Sequence, residues 1–292
     1  MKLTNKFNLP QTFVNVLHRP TYTKGGANIS ATELINSPRI VQLKRLYDEH
    51  LEQDVSEQIW SIFGTAIHAV LEHGKDHNHL VEERLHAVLD GWSISGAIDL
   101  QVIEDDGIIV SDYKTTGAWS VMNEKAEWEQ QLNIYAWLVE TVKKAPVKGL
   151  NIVAIIRDWS RRDAETRDGY PNAPVKEIPI AVWDYDTRTE FIRSRIREHS
   201  AALLAAETQT ELPSCTPEQM WEKSTSYAIK KIGNKRATAV LETEFEAEAK
   251  LSELGKGYAI EIRPGERTRC ANYCQVNKFC SQYEAYLQGA EE

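Results

Sequence analysis

Cysteine is scarce in this sequence, with four residues in 292, too few for a disulfide scaffold of that size. Long apolar runs are missing as well. The longest near the middle, Leu150 to Ile156, is interrupted by Asn151 and falls far short of the ~20 residues a membrane span needs. The opening MKLTNKFNLPQTF has no apolar core of a secretory signal, so the expectation is a cytoplasmic protein with no membrane partner. Internal repeats, low-complexity tracts and Pro/Gly-rich linkers are absent. Basic charge is not in excess: 34 Lys+Arg against 43 Asp+Glu leave a net charge of −9. That argues against indiscriminate coating of nucleic acid and leaves room for a locally basic groove. No G-x-x-x-x-G-K-[ST] loop occurs, so no helicase motor is encoded here. What is present is an ordinary globular composition, 42% hydrophobic and 26% charged, sufficient for a sizeable core in one large or two small domains.

The patterning is mixed α/β. Residues 1–27 read as an irregular arm. Ser30 with Glu33 forms an S-x-x-E capping box, which predicts a helix from there to about residue 52. A second helix is expected over about 56–73, and 80–88 fits either a helix or a strand. Ser93 to Lys114 reads as a hairpin, since Ile94, Ile98, Leu100 and Val102 alternate with Ser95, Ala97, Asp99 and Gln101. Its turn is Glu104-Asp105-Asp106-Gly107. A long helix over about 123–143 follows, then strands near 151–157 and 175–182 and a helix over about 186–207. The tail should hold strands near 227–232, 238–242 and 258–263 and a short helix near 244–254.

The hairpin carries the sharpest chemistry. Asp112 and Lys114 are two apart and share one face of a strand. Depending on the turn, Asp99 lies opposite Asp112 or opposite Lys114. Both registers put all three on one face, with opposed Cβ atoms ~4.5–5.5 Å apart. Two carboxylates so close repel unless a cation stands between them, and a hard divalent ion with oxygen ligands meets that need. The plain alternative is a solvated surface ion pair. Gly64, His68 and Glu72 form one stripe of a helix, and Gln131 and Tyr135 lie i, i+4 on the long helix. Each alone is compatible with ordinary amphipathic packing.

Taken together and in order, Gly64–His68 (GTAIH), Gly96–Asp99 (GAID), Asp112–Lys114 (DYK) and Gln131–Tyr135 (QLNIY) resemble the RecB-like branch of the PD-(D/E)XK nuclease superfamily. The resemblance covers roughly residues 30–143. It implies a restriction-endonuclease-like α/β core, a helix-flanked mixed sheet in which the histidine helix leads into the hairpin. It further implies that His68, Asp99, Asp112 and the main-chain carbonyl of Tyr113 ligate Mn²⁺ or Mg²⁺. Lys114 would activate the attacking water or stabilise charge on the phosphate. Gln131 and Tyr135 would contact DNA or form the active-site wall. Glu82 or Glu83 is a further carboxylate that sequence does not place. The implied substrate is DNA, as single strands or duplex ends, and the implied activity a metal-dependent deoxyribonuclease of exonuclease type.

Cys270, Cys274 and Cys280 form a C-x3-C-x5-C group, with Cys215 the single partner. They resemble the iron–sulfur members of this branch, the AddB-type and CRISPR-associated RecB-like exonucleases. That implies a [4Fe–4S] cluster, with zinc on the same ligands as the alternative. In those relatives the single cysteine precedes the core, whereas Cys215 follows it. The expected organisation is an N-terminal arm and helix (1–55), a nuclease core (56–208) and a C-terminal region (209–292) closed by the cysteines. The resemblance suggests a stand-alone phage-type nuclease, with a recombination or single-strand-annealing protein as partner. Trp119 and Trp128 are candidates for base stacking or for core packing. Lys230, Lys231, Lys235 and Arg236 form either a DNA path or a solvated face. A structure-specific endonuclease and a non-catalytic binding module stay open as alternatives.

Overall fold

In the computed structural model, residues 2–18, 23–123 and 125–289 are described. The chain begins with β1 (Lys2–Thr4), α1 (Gln11–Leu17), β2 (Ile29–Ser30), α2 (Ala31–Ile35), α3 (Pro38–Leu46) and β3 (Glu52–Asp54). The expected irregular arm is therefore anchored: β1 pairs in parallel with β3. Asp54 closes that junction by accepting from the Lys6 amide at 2.8 Å, the Ser56 hydroxyl at 2.7 Å and the Thr4 hydroxyl at 2.9 Å. Residues 19–22 of the arm lie outside the described residues. The capping box forms as expected, with Ser30 Oγ accepting from the Glu33 amide and Glu33 accepting from the Ser30 amide. The helix it opens does not reach residue 52. Asn36 turns extended and Pro38 restarts the helix at its first position. Proline supplies no amide to bond backwards and keeps its predecessor out of the helical region, so one predicted helix becomes two.

Next come α4 (Ile59–Leu71), β4 (His79–Leu89), β5 (Trp92–Glu104) and β6 (Gly107–Thr116). The ambiguous 80–88 segment is thus a strand. After α5 (Ala118–Met122), the long α6 (Ala126–Lys143) crosses to β7 (Val147–Ile156), which runs parallel to β6. Then α7 (Arg161–Thr166) leads to β8 (Val175–Ile180), antiparallel to β7, and to α8 (Tyr185–Glu207). Six strands form one mixed sheet. β4 lines β5 along nearly its whole length, whereas on the order β2-β5-β6-β7-β8 strand β2 meets β5 at Ile94 and Ser95 and β6 meets it from Leu100 onward. Between those contacts β5 is left open at Gly96–Asp99. A Cβ on Gly96 would lie 2.8 Å from side-chain atoms of both Leu138 and Tyr135, so glycine lets α6 settle directly onto β5.

The main core is built from Ile94, Ile98, Val110 and Ile152 of the sheet with Leu132, Trp137 and Leu138 of α6 and Ile192 of α8. It also takes in Ile29, Ala31 and Leu34, so the packed core extends N-terminal of residue 56. Strand alternation sends Asp112 and Lys114 towards α6 and Tyr113 and Thr115 towards α4, whose Gly64 and His68 meet them.

The rest of the chain comprises α9 (Pro217–Met220), β9 (Glu222–Lys223), β10 (Ser226–Lys231), β11 (Ala239–Leu241), α10 (Glu244–Leu254), β12 (Tyr258–Arg263), β13 (Glu266–Arg267), α11 (Thr268–Asn272) and α12 (Ser281–Gly289). Strands β11, β10 and β12 make a small antiparallel sheet, and β9 pairs with β13. A second core joins this region to α3 and α8: Ile40, Leu43 and Ala205 pack with Leu212, Cys215, Met220 and Val276.

Candidate active site

The β5–β6 ladder runs from Glu104/Gly107 to Leu100/Ser111, the register that carries Asp99 and Asp112 to facing positions. There the two strands part. Asp112 continues in register with Ile152 of β7, and the Tyr113 amide donates to Asp99 Oδ2 at 2.7 Å. The β4–β5 pairing is interrupted in the same row: Val81 pairs with Leu100 and Glu83 with Ile98, while Glu82 between them has a φ of 51°. A left-handed backbone costs a non-glycine residue ~1–2 kcal/mol. Here it accompanies a carboxylate placed 3.2 Å from His68 Nδ1. The same nitrogen lies 3.6 Å from Asp99 Oδ1, and His68 Nε2 lies 3.1 Å from the Tyr113 carbonyl oxygen.

His68, Glu82 and Asp99 each direct one ligand atom into a space where all three lie within 4.8 Å of one another, the one such set of His, Cys, Asp or Glu among the described residues. The charges of His68 and Asp99 are strongly conditioned by the setting. The Glu82 carboxylate hydrogen bond, with Asp99 nearby, pushes the His68 imidazole up to about 9 despite its burial. Burial, then the negative charge of Asp112, pushes the Asp99 carboxyl up to about 7. Both shifts report excess negative charge in a poorly solvated row.

Beside that set stands a second one. Asp112 is 2% exposed; its Oδ1 accepts from Gln131 Nε2 at 3.1 Å. Its Oδ2 is buried with no donor in line, compensated by the Lys114 ammonium 2.7 Å away. Lys114 Nζ donates to Gln131 Oε1 at 3.0 Å, and Gln131 Nε2 also donates to the Tyr135 hydroxyl at 2.8 Å. His68, Asp99, Asp112, Tyr113, Lys114, Gln131 and Tyr135, the nuclease-site residues expected from sequence, therefore lie in one of two adjoining groups. Glu82 is the residue that sequence reasoning left unplaced. Its neighbour Glu83 points elsewhere, accepting from Gln101 Nε2 at 2.7 Å and pairing with Lys143.

The four cysteines, drawn from the α8–α9 connection and from the segment spanning α11 to α12, line one cavity together with Ile40, Leu43 and Met220. Ser37 Oγ lies 3.1 Å from Cys215 Sγ, and Arg39 Nε donates to Cys280 Sγ at 3.3 Å. Burial and then the neighbouring thiols push Cys270 up to about 11. No three of the sulfurs come within 4.8 Å of one another. Four thiolates on one zinc, at ~2.3 Å each, would stand about 4 Å apart.

The structure bears on two alternatives left open by the sequence. Trp128 packs against the main core, while Trp119 is 61% exposed. Lys230 is ion-paired with Glu261 across β10 and β12, so the basic group of the tail sits on the small sheet with one of its charges neutralised.

A family model described as the PD-(D/E)XK nuclease superfamily matches residues 74–281. The chain belongs to that superfamily. The match takes in Asp99, Asp112, Lys114, Gln131 and all four cysteines, and begins after His68. No curated protein sequence matches the chain. Among solved structures, one titled crystal structure of SSO0001 aligns with a TM-score of 0.44 at 20% identity, covering 64% of this chain and 82% of that one. An alkaline exonuclease (LHK-Exo) from Laribacter hongkongensis aligns with a TM-score of 0.35 at 11% identity, covering 62% and 91%.

Proposed function

We propose that the chain is a divalent-metal-dependent deoxyribonuclease that hydrolyses phosphodiester bonds and works from DNA ends. The observation that carries this reading is the row at Asp99, where β6 parts from β5, the β4 pairing is interrupted at Glu82, and acidic groups, an imidazole and a main-chain carbonyl converge beside a lysine. The donor set fits a hard cation. His68, Glu82 and Asp99 bring ligand atoms within 4.8 Å of one another, and Asp99 is held back from ionising by burial and by Asp112. His68, Glu82, Asp99, Asp112 and the Tyr113 carbonyl would hold Mn²⁺ or Mg²⁺, the imidazole favouring Mn²⁺ more than a purely carboxylate site does. When bound, the metal supplies Lewis acidity towards the phosphoryl group. Lys114, fixed by Asp112 and Gln131, holds the attacking water and stabilises charge developing on the phosphate. Tyr135 keeps Gln131 in place through the hydroxyl that Gln131 Nε2 bonds.

Exonucleolytic action on single-stranded or frayed ends is the finer proposal, supported by the lack of a base-reading motif. We also propose that the cysteine cavity takes a [4Fe–4S] cluster. Four thiols reach it, Arg39 donates a hydrogen bond to Cys280 sulfur, and the Ser37 hydroxyl stands 3.1 Å from Cys215 sulfur, contacts that suit an anionic cluster. That would make residues 209–292 a region closed onto the core by metal.

The test is cleavage of end-labelled linear and closed circular DNA, single- and double-stranded, with Mn²⁺, Mg²⁺ or EDTA. Linear DNA should be degraded only with metal, and Asp99→Ala, Asp112→Ala and Lys114→Ala should each abolish cleavage. Full activity of Asp112→Ala would overturn the site, and rapid cutting of closed circles would replace the exonuclease by an endonuclease.

A further inference from the structure

α4 is an unusual helix for its position. It is apolar in composition, yet none of its residues is fully buried, and Trp60, Phe63 and Val70 are exposed to 53%, 38% and 69%. Its placement gives that exposure a direction. Trp60, Gly64 and His68 recur every four residues, so they form one stripe of the helix. At one end His68 meets the Tyr113 carbonyl, and at the next step a Cβ on Gly64 would lie 3.2 Å from Thr115 Oγ1. At the far end the guanidinium of Arg157 lies 4.5 Å from the Trp60 ring centroid, and the Arg157 amide donates to the Thr116 carbonyl at 2.9 Å. The helix therefore runs back along the outgoing end of β6, from the metal-ready row to an exposed tryptophan. Four helical residues rise ~6 Å and two strand residues ~6.6 Å, so the two keep step.

Phe63 stands edge-on to Trp60, with centroids 6.3 Å apart at 89°. A second exposed tryptophan, Trp119, follows β6 directly, with Lys125 Nζ 4.6 Å from its ring centroid. Among the described residues neither Arg157 nor Lys125 has a carboxylate partner; each cation rests on an aromatic face instead. Exposed aromatic faces paired with unneutralised cations, on a track ending at a phosphodiester site, are the elements of a single-strand stacking platform.

We propose that Trp60 with Arg157, seconded by Trp119 with Lys125, is a nucleobase-binding platform that holds the single strand on its way to or from the site. This rests on the nuclease reading for its direction and fixes the substrate class as unpaired DNA, since a base in a duplex offers no free face to a side chain. Trp60 lies eight residues from His68, about 12 Å along the helix. That is the length of three to four stacked nucleotides at ~3.4 Å each.

The test is binding of a fluorescein-labelled 20-nucleotide single strand, followed by anisotropy in EDTA so that no turnover is needed. Trp60→Ala should weaken binding about tenfold and Trp60→Phe should restore most of it. An abasic position moved along the strand should cost the wild-type protein a similar factor at one or two positions and cost Trp60→Ala nothing further there. Equal affinity of Trp60→Ala and wild type would overturn the platform and leave the apolar face of α4 to a protein partner. So would a loss that abasic substitution fails to reproduce. Because this readout is metal-free, a protein that binds as expected and cleaves nothing would sink the nuclease reading and leave the platform standing.

Discussion

Glu82 shows how one backbone angle decides what a residue does. Strand alternation made Asp99, Asp112 and Lys114 legible from sequence, and helical spacing did the same for Gln131 and Tyr135, because both periods depend only on regular geometry. Glu82 follows neither period. Its carboxylate is delivered by a left-handed φ of 51° in mid-strand, a conformation that glutamate does not advertise. Strain of this kind persists where surrounding structure enforces it, and it gathers at functional sites. Glu82→Gln keeps the volume and removes the charge that faces His68. The expected outcome is a rise of ten- to a hundredfold in the Mn²⁺ concentration giving half-maximal cleavage. Glu83→Gln, whose carboxylate serves Gln101 and Lys143, should leave that titration in place. A metal titration unchanged by Glu82→Gln would remove Glu82 from the ligand set.

Among the elements, most strands and helices fall where hydrophobic period placed them, and the exceptions have local causes. Pro38 divides the first helix, and the N-terminal arm is ordered by Asp54 contacts that join residues 48 to 50 positions apart. Contacts at that separation leave no periodic trace. The short α2 owes its place to α8 as well as to its capping box: Arg195 donates to the Leu34 and Asn36 carbonyls at 2.9 and 2.6 Å, and His199 Nε2 donates to Leu34 at 3.1 Å. His199 is fully buried and its Nδ1 has no partner among the described residues. Burial holds its imidazole down at about 4, and nearby Arg195 acts the same way. An unfolded chain takes up that proton near pH 6.5, whereas the folded one refuses it until about pH 4. Between those values the unfolded state binds more protons, so stability must fall as pH drops through the window, by ~3 kcal/mol in all. Above pH 6.5 the histidine contributes no slope. Urea unfolding midpoints at pH 7.5, 6, 5 and 4.5 should decline less steeply in His199→Gln than in the wild type, the difference between the two isolating this group from Asp99 and His68. Parallel declines would place the acid sensitivity elsewhere.

At the scale of the whole molecule, two cores share α8, and the second packs α3 against the segments that carry the four cysteines. Sequence spacing grouped Cys270, Cys274 and Cys280 and added Cys215. It gave no sign that Arg39 and Ser37, far upstream on the other side of the nuclease core, would supply hydrogen bonds to two of the sulfurs. Arg39 is 2% exposed, and it also donates to the Leu212 carbonyl at 2.6 Å and to Glu211 at 2.8 Å. The helix after Pro38 is thereby tied to the segment leaving α8 and to the final cysteine. Between Cys215 and Cys270 lie the small sheet and α10, an excursion of more than fifty residues. Closing a loop of that length through one inorganic group restricts the unfolded chain much as a cross-link does, worth ~4 kcal/mol on a loop-entropy estimate. A cluster at this place would be structural: it would hold α9 to α12 against α3 and take no part at the phosphate. Protein purified without oxygen should be brown and contain iron and sulfide. Replacing any one of the four cysteines by serine should lower the melting temperature and open residues 209–289 to limited proteolysis. Metal binding at His68 and Asp99 should survive, and DNA cleavage should fall only as the tail loosens. Stoichiometric zinc without iron, in protein made with iron and without oxygen, would replace the cluster and keep the staple. A Cys274→Ser protein with unchanged melting and proteolysis would show that the cavity closes through Ile40, Leu43 and Val276 alone.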